Sequence, residues 1–426
     1  MPARIAFISP TGYGNLGDAA IIDSLIDGIR RRIPDAGIVG FTMNPSDTRE
    51  RHGIPAFTCT GVSLRDYEVR EAPADPGRAG APAPARRALA AIPGARRAYR
   101  FARLAVAEIR HRRLSAERIR GFDWVVVAGG GQLDDFWGGA FGHPYALLRW
   151  GQLARRAGAR YVILSVGTGS LTAPLSARFV RRALALADYR SFRDGRSREL
   201  VGDPGLVRDD PIVPDLAYGL PLGPTPAAAP AATARPTVGV SPMAFADPRF
   251  WPEKDRERHR RHVESLAALA ARLAGAGHEV VLFATDGSDR RSLAELRARA
   301  DARLDAGGRA RIRAPDYDGV AGLMDVLAGV DIVVAARLHG VLLGHVAGRP
   351  ALAVSHERKV RTLMEDMGHA RWCIDIDDFD PDAGFARLQE IAADLPALAA
   401  VVRRTAADYR RRVDAQYDRV FGPSLP

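Results

Sequence analysis

The sequence predicts an α/β fold in which two Rossmann-like domains face a cleft, and three observations support this prediction. An apolar strand at residues 4–9 leads through a glycine-rich turn into residues 19–33, where apolar side chains recur at helical spacing. The same alternation of strand and helix resumes at residue 237, which is typical of a parallel sheet. Between the two halves, residues 223–236 are rich in Pro and Ala and have no apolar period, as in a domain linker.

The chain of 426 residues is longer than a single hydrophobic core usually grows, which also favours two domains. The predicted parts are an N-terminal domain at 1–222, the linker at 223–236, a C-terminal domain at 237–385, and a last helix within 386–426 that packs back on the N-terminal domain. Beyond the first strand, further strands are predicted at 38–42, 124–128, 161–166, 189–192, 237–241, 279–284, around 312, 332–335 and 351–355.

The formal net charge of +11 raises the question of nucleic-acid binding, because basic residues neutralise phosphates. Only Lys254 and Lys359 of the 61 basic residues are lysines, and the arginines alternate with acidic residues instead of forming one stripe. The pattern argues against a nucleic-acid partner. It is compatible with a small anionic substrate, because positive potential in a cleft concentrates anions.

Cellular location is indicated by the cysteines and by the hydropathy pattern. Cys59 and Cys373 lie in no disulfide or zinc-binding pattern, and the N-terminus lacks the pattern of a secretory signal. These features predict a cytoplasmic protein. Residues 71–113 are rich in Ala, Arg and Pro, and we interpret them as a mobile loop followed by a basic amphipathic helix. That helix is expected to cover the sheet, with peripheral contact with a membrane surface as the alternative.

The first glycine-rich turn, Gly-Tyr-Gly-Asn-Leu-Gly-Asp at 12–18, formally satisfies GxGxxG between a strand and a helix. A nicotinamide cofactor also requires an acidic residue at the end of the second strand, and residues 40–44 contain none. The turn therefore indicates close backbone approach to an anion, with Asn15, Gly17 and Asp18 as candidate substrate contacts. For Asp18, capping of the following helix is the favoured interpretation.

A second glycine cluster follows the strand at 124–128. Gly129, Gly130 and Gly131 remove side chains where a ligand or the opposing domain can approach, although a tight structural turn explains them equally well. His143 is a candidate to face a sugar, with a structural role as the alternative.

Basic side chains follow three other predicted strands. Arg193 closes the strand at 189–192, and its planar guanidinium matches a carboxylate or phosphate, with a salt bridge to Asp194 or a helix cap as the alternative. Arg337, Leu338 and His339 open the helix after the strand at 332–335, where the helix N-terminus adds positive partial charge. His339 is the candidate general acid or base, because imidazole titrates near neutrality. Lys359 is expected to add charge to the same rim, with a solvated helix start as the alternative.

Taken in order, these four motifs resemble the polysaccharide pyruvyl transferase family. They are Gly-Asn-Leu-Gly-Asp at 14–18, Gly-Gly-Gly-x-Leu-x-Asp at 129–135, Ser-x-Arg-Asp at 191–194 and Arg-Leu-His-Gly at 337–340. The resemblance implies a fold similar to the two-domain glycosyltransferases called GT-B, with the acceptor on the N-terminal side and the donor on the C-terminal side. It implies phosphoenolpyruvate as donor and no cofactor or metal. One departure is Ala19, where relatives often have Glu.

The resemblance also implies site roles. Arg193 and Arg337 would hold the anionic groups of phosphoenolpyruvate, and His339 would take part in proton transfer. We expect His339 to protonate the methylene carbon, after which a hydroxyl of a glycan or glycolipid acceptor attacks. Two alternatives stay open, a GT-B-type nucleotide-sugar glycosyltransferase and a noncatalytic sugar- or anion-binding protein.

Overall fold

The computed structural model describes residues 2–12, 14–61, 95–135, 138–169, 171–221, 235–251 and 253–422, with side chains in the stretch after 94 given from residue 105. Within these residues the chain forms two sheets, each with six strands that are all parallel.

The first sheet lies in the N-terminal part of the chain. Its strands are β1 (Arg4–Ser9), β2 (Gly37–Thr42), β3 (Ala56–Thr58), β4 (Trp124–Gly130), β5 (Arg160–Val166) and β6 (Tyr189–Phe192). The helices that connect and follow them are α1 (Leu16–Arg32), α2 (Pro45–His52), α3 (Ala95–Arg118), α4 (His143–Ala157), α5 (Pro174–Ala185), α6 (Gly195–Leu200) and α7 (Pro204–Val207).

The second sheet repeats this plan. Its strands are β7 (Val238–Ser241), β8 (Val280–Leu282), β9 (Ile312–Arg313), β10 (Ile332–Ala335), β11 (Ala351–Val354) and β12 (Cys373–Ile374). Its helices are α8 (Arg256–Gly275), α9 (Arg290–Asp301), α10 (Ala306–Ala310), α11 (Gly319–Ala328), α12 (Leu338–Val346), α13 (Arg358–Asp366) and α14 (Pro381–Ala393), and α15 (Leu395–Phe421) ends the described chain.

The two sheets have equivalent strand orders. The first is β3-β2-β1-β4-β5-β6 and the second is β12-β11-β10-β7-β8-β9. In each sheet the strand order therefore reverses between two adjacent strands, β1 and β4 in the first sheet and β7 and β10 in the second. In open α/β sheets, ligands bind beyond the carboxyl ends of the strands at this reversal. The fold therefore marks the loops after β1 and β4, and those after β7 and β10, as the place to look for a site.

The central strands are apolar on both faces because helices cover both sides of each sheet. In β1 the side chains from Ile5 to Ile8 have no exposed area, and in β4 the same holds for Val125, Val126 and Val127. Helix starts are specified by Asn and Asp side chains that accept first-turn N–H groups, as at Asn15, Asn44, Asp194, Asp255 and Asp380.

The last helix packs on the first sheet and its helix α1. The Tyr417 ring lies against Gly28 of α1, and its hydroxyl is 3.1 Å from the Ser24 hydroxyl. The predicted boundary at 386 falls inside α14, which packs on α8 of the second sheet. The chain therefore returns to the N-terminal domain later, from Leu395, because α14 still packs on the helices of the second sheet.

Two predicted segments fall largely outside the described residues. The linker at 223–236 is described only for its last two residues, and the proposed loop in 71–94 is not described. The basic helix does form, as α3, and it runs to Arg118. The His111 ring nitrogen Nε2 lies 2.8 Å from the Thr58 carbonyl oxygen, so the end of α3 covers the edge strand β3. Among the described helices, none is long and apolar enough to cross a membrane.

Candidate active site

The carboxyl ends of the two sheets face each other, and the first loop of one docks on the other. The Leu16 N–H donates to the Thr285 carbonyl oxygen at 2.8 Å, and the Gly287 N–H donates to the Gly14 carbonyl oxygen at 3.2 Å. The start of α1 is thereby fixed against the segment between β8 and α9. Loops that are far apart in sequence meet at this seam.

The turn after β1 places Asp18 in the cleft without using it as a cap. The side chain of Asn15 is the cap, because it accepts hydrogen bonds from the Gly17 and Asp18 N–H groups at 2.9 and 3.2 Å. The favoured interpretation of Asp18 as the N-cap was therefore wrong. The carboxyl of Asp18 lies near Gly130 at the end of β4, since a Cβ atom built on Gly130 would be 4.0 Å from Oδ1.

The pKa of the Asp18 carboxyl is well above its ordinary value. Burial raises the pKa of its carboxyl from 3.8 to about 7, and the negative charges of Asp286 and Asp215 add to the effect. Lys359 and Arg337 act in the opposite direction. The carboxyl therefore carries its proton below about pH 7, in a site where charged groups from both sheets converge.

His339 lies directly across from the first loop. A Cβ atom on Gly17 would be 2.0 Å from both Cγ and Nδ1 of the His339 ring, so only glycine permits this approach. Burial lowers the pKa of His339 to about 4, and Asp215, whose Oδ2 is 3.9 Å from Nε2, only partly offsets this. The ring is thus neutral at pH 7. Its Nε2 is buried and has no hydrogen-bond partner among the described residues.

Arg193 closes β6 and reaches the same point. Its side chain is 7 % exposed, with Nη1 3.4 Å from Asp215 Oδ2 and Nε 3.3 Å from Asp194 Oδ2. The guanidinium lies flat against Gly167, where a Cβ atom would be 2.4 Å from Nε. The remaining nitrogen, Nη2, is buried without a hydrogen-bond partner in the described part of the chain. A buried donor in that condition is costly unless a water molecule or a ligand satisfies it.

Asp215 joins Arg193 to His339, and it was not predicted from the sequence as a site residue. It precedes a 3-10 helix at Leu216–Gly219 and is only 4 % exposed. Its neighbours are Pro214 and an apolar stretch, which give no signature of a site. The sequence therefore held no signal for this residue, and only the fold shows that its carboxylate is buried and which cations it faces.

Arg337 is in the cleft but is already bound to a carboxylate. Its Nε and Nη2 contact Asp289 Oδ2 and Oδ1 at 2.5 and 2.7 Å, and Nη2 also donates to the Ser288 hydroxyl at 3.0 Å. Burial lowers the pKa of Arg337, but the charges of Asp289 and Asp286 outweigh it and raise the pKa overall. The next side chain, Leu338, is 6 % exposed and belongs to the apolar core, so only its main chain is available to a ligand.

Lys359, in the first turn of α13, lies at the rim of the cleft. Its Nζ is 3.0 Å from Glu357 Oε1, and its charge acts on both Asp18 and His339. The predicted positive charge of Lys359 at this rim is therefore paired with the carboxylate of Glu357.

The glycine cluster after β4 approaches the opposing elements closely. Gly129 and Gly130 have φ angles of +52° and +73°, which side chains rarely adopt, and both face Ile21 of α1. A Cβ atom on Gly131 would be 3.1 Å from Asp134 Oδ2. The cluster thus forms the floor below Asp18, and packing accounts for at least the first two glycines.

His143 is held by the glycine loop and is not brought to the Arg193–His339 cluster by any contact of the described residues. Its Nε2 lies 2.7 Å from Gln132 Oε1, and the Gln132 amide donates to the Ile8 and Ala128 carbonyl oxygens. Burial lowers the pKa of His143 to about 4, and the charge of Arg149 adds to this. These contacts fit the structural alternative.

The arrangement combines groups suited to proton transfer with groups suited to an anion. Asp18 and His339 have pKa values displaced in opposite directions, and Arg193 offers a buried unpaired N–H. Such displaced pairs are characteristic of acid–base sites.

A model of the polysaccharide pyruvyl transferase family matches residues 15–358. No curated protein sequence matches the chain.

Solved structures similar to the chain share its fold. MnaA from S. aureus, solved with UDP, has a TM-score of 0.58 at 10% identity, covering 98% of this chain and 96% of its own. UDP-GlcNAc 2-epimerase from Neisseria meningitidis, bound to UDP-GlcNAc, has a TM-score of 0.56 at 8% identity and covers 99% of each chain. Alr3699/HepE from Anabaena, in complex with UDP, has a TM-score of 0.52 at 14% identity and covers 100% of each. The predicted GT-B-like fold is confirmed.

Proposed function

Since the chain belongs to the polysaccharide pyruvyl transferase family, we propose that it transfers a pyruvyl group from phosphoenolpyruvate to a sugar, forming a ketal. Membership of the family makes the protein a transferase. The proposed acceptor is a glycan or glycolipid of a cell-envelope or extracellular polysaccharide. We propose a cytoplasmic reaction, with peripheral membrane contact where the acceptor is lipid-linked. The donor is a substrate, and the proposal includes no cofactor or metal.

The observation that carries the proposal is the unpaired Nη2 of Arg193. A buried guanidinium nitrogen without a hydrogen-bond partner among the described residues is suited to the carboxylate or phosphate of a small anion. The first N–H groups of α12, at Leu338 and His339, lie on the other side of the same cleft and favour negative charge. We propose that these groups bind phosphoenolpyruvate between the two sheets.

The other predicted donor contacts act differently in this proposal. Because Asp289 occupies two nitrogens of Arg337, this arginine orients the start of α12 and supplies positive potential, together with Lys359. The glycines at 129–131, with Asn15, Gly17 and Asp18, line the first-domain side of the space between the sheets, and we place the acceptor next to the donor on this side. His143 supports that loop through Gln132.

We retain His339 as a proton-transfer group, but the lowered pKa favours the opposite direction from the one expected from sequence. An imidazole that is neutral at pH 7 is suited to accept the proton of the acceptor hydroxyl. In the expected role, as proton donor to the methylene carbon, it would first have to be protonated.

The first test is ligand binding followed by turnover. We expect phosphoenolpyruvate to raise the unfolding temperature, since a ligand at 100 times its Kd stabilises the folded state by about 2.7 kcal/mol. With an acceptor glycan present, phosphate release and a matching gain in acceptor mass should follow. Stabilisation by a nucleotide sugar alone, with sugar transfer, would instead identify a glycosyltransferase. Binding of the donor without turnover on any glycan would favour a noncatalytic binding protein.

Gly17→Ala tests the approach of His339 to the first loop. The new methyl group must displace the ring, and we expect kcat to fall at least about tenfold, because a misplacement of about 1 Å costs up to about 10²-fold. Overpacking should lower the free energy of unfolding by about 1–3 kcal/mol. The matched control is Gly275→Ala at the exposed end of α8, where a Cβ atom meets only Leu304 at 4.0 Å. Equal kcat values for the two variants would show that the His339 position is not critical.

A further inference from the structure

We infer that Asp18 is the group that donates a proton to the methylene carbon of the donor, and that it works as a pair with His339 across the cleft. This inference rests on the proposed function and adds a second catalytic side chain to it. Three observations carry it: the position of Asp18, the state of its carboxyl, and the charges that surround it.

The position of Asp18 is set by the first turn of α1. Asn15 holds the turn, Gly17 lies against the His339 ring, and the Asp18 carboxyl faces Gly130 at the end of β4. Asp18 and His339 therefore flank one space from opposite sheets. Arg193 enters the same space from β6, 93 % of its side chain being buried, with an unpaired N–H.

The carboxyl of Asp18 accepts no hydrogen bond and forms no ion pair in the described part of the chain. Two carboxylates, Asp286 and Asp215, oppose its ionisation, while Lys359 and Arg337 are already matched by acidic partners. An anionic donor brought into this space would oppose ionisation further, since like charges nearby favour the neutral acid. A protonated carboxyl beside a bound enol ester is the arrangement that proton donation to carbon requires.

The pKa values of Asp18 and His339 determine which group donates a proton and which accepts one. Burial and acidic neighbours raise the pKa of Asp18 to about 7, whereas burial lowers the pKa of His339 to about 4. Between these values the predominant state is a protonated carboxyl and a neutral imidazole. Where two titratable groups are displaced in opposite directions, the one that keeps its proton is the acid and the other is the base.

The resulting reaction balances and restores both groups. The π electrons of the donor's C=C bond take the Asp18 proton at the methylene carbon, while the first acceptor hydroxyl adds to the carbon that bears phosphate and gives its proton to His339. The C–O bond to phosphate then breaks, phosphate leaves with the electron pair, and His339 returns its proton to it. The second hydroxyl closes the ketal and its proton reprotonates Asp18.

Asp18→Asn tests the inference, with Asp27→Asn as the matched control. Asp27 is on the same helix but pairs with Arg31 on the surface, at 2.8 Å. We expect Asp18→Asn to lower kcat about a hundredfold, the lower range for general acid catalysis, while donor binding persists through Arg193. In the wild type and in Asp27→Asn, kcat/KM should fall as the pH rises above about 7. The residual activity of Asp18→Asn should lack that decline.

Calorimetry of donor binding tests whether Asp18 is protonated, and can therefore act as the acid, when the donor is bound. At pH 7.5 the wild type should take up most of a proton when phosphoenolpyruvate binds, because the donor's charge completes the protonation of Asp18. Asp18→Asn should take up none. Titrations in buffers of different ionisation enthalpy give this number directly. Proton release, or equal uptake by the variant, would overturn the inference.

Thermal unfolding separates a catalytic effect from misfolding. The Asp18 carboxyl has a raised pKa in the folded state, so its stabilising contribution is complete below about pH 4 and is lost as the pH rises through 7. Asp18→Asn should therefore lose less stability than the wild type between pH 4 and 8. A wild type that turns over phosphoenolpyruvate, with an Asp18→Asn variant of equal kcat, refutes the inference alone. A wild type inactive with this donor refutes the proposed function.

Discussion

Replacing His339 with Ala is expected to reduce kcat by at least about a hundredfold, and by up to about ten-thousandfold, while the fold survives. The ring lies against the loop that carries Asp18, and its lowered pKa leaves it neutral and able to accept a proton at pH 7. Its Nε2 has no hydrogen-bond partner to lose within the described chain, so truncation leaves no buried group newly unpaired on that side. The effect should therefore appear in kcat and not in folding.

The control for this prediction is His278→Ala. That ring precedes β8 at the amino edge of the second sheet, away from the cleft, and its Nδ1 lies 3.0 Å from the Pro236 carbonyl oxygen. The control should lose some stability and keep its kcat. A His339→Ala variant with a kcat near that of the wild type would remove the ring from the proposed chemistry.

The site is divided between the two halves of the chain. Asp18, Arg193 and Asp215 come from the first sheet and its loops, whereas His339 and Arg337 come from the second. The contact of Gly17 with His339 and the docking of Leu16 on Thr285 hold the halves in register. Neither half alone contains both a proton donor and a proton acceptor for the proposed reaction.

The meeting of these loops could be predicted from the sequence because parallel strands end at one edge. The predicted motifs follow β1, β4, β6 and β10, and the structure brings the residues after three of these strands, Asp18, Arg193 and His339, to one space. The strand at β6 and that at β10 have the predicted bounds. Two short edge strands were not predicted: β3 has only three residues and β12 only two, which is too few for an apolar period.

The acidic residues that pair with the arginines and with His339 could not be predicted, because these pairs depend on distances between elements far apart in sequence. Asp289 lies 48 residues from Arg337 yet takes up two of its nitrogens. Asp215 lies between Arg193 and His339, although nothing in its local sequence distinguishes it from a surface acid. Likewise, Asn15 and Asp18 are both good capping residues, and only the geometry of the turn selects Asn15.

Arg193 gives the second large effect, because its guanidinium neutralises two carboxylates and still has a free N–H. Arg193→Met is expected to lower the free energy of unfolding by about 3–5 kcal/mol, since Asp194 and Asp215 would remain buried without their cation. Differential scanning calorimetry or denaturant titration measures this loss. Arg196→Met is the matched control, because Arg196 pairs with Glu199 on the exposed face of α6, and it should change stability by no more than about 1 kcal/mol.

Arg193→Lys separates donor binding from folding. Lysine keeps the positive charge for Asp215 but cannot present a planar fork, so the N–H available to the donor is lost. A hydrogen bond to a charged group contributes about 1.5–3 kcal/mol, so the Kd for phosphoenolpyruvate should rise by roughly tenfold to a hundredfold. The unfolding temperature without ligand should stay close to that of the wild type. An unchanged donor Kd in this variant would mean that the unpaired Nη2 does not face the donor, and the anion would then have to bind at the start of α12 alone.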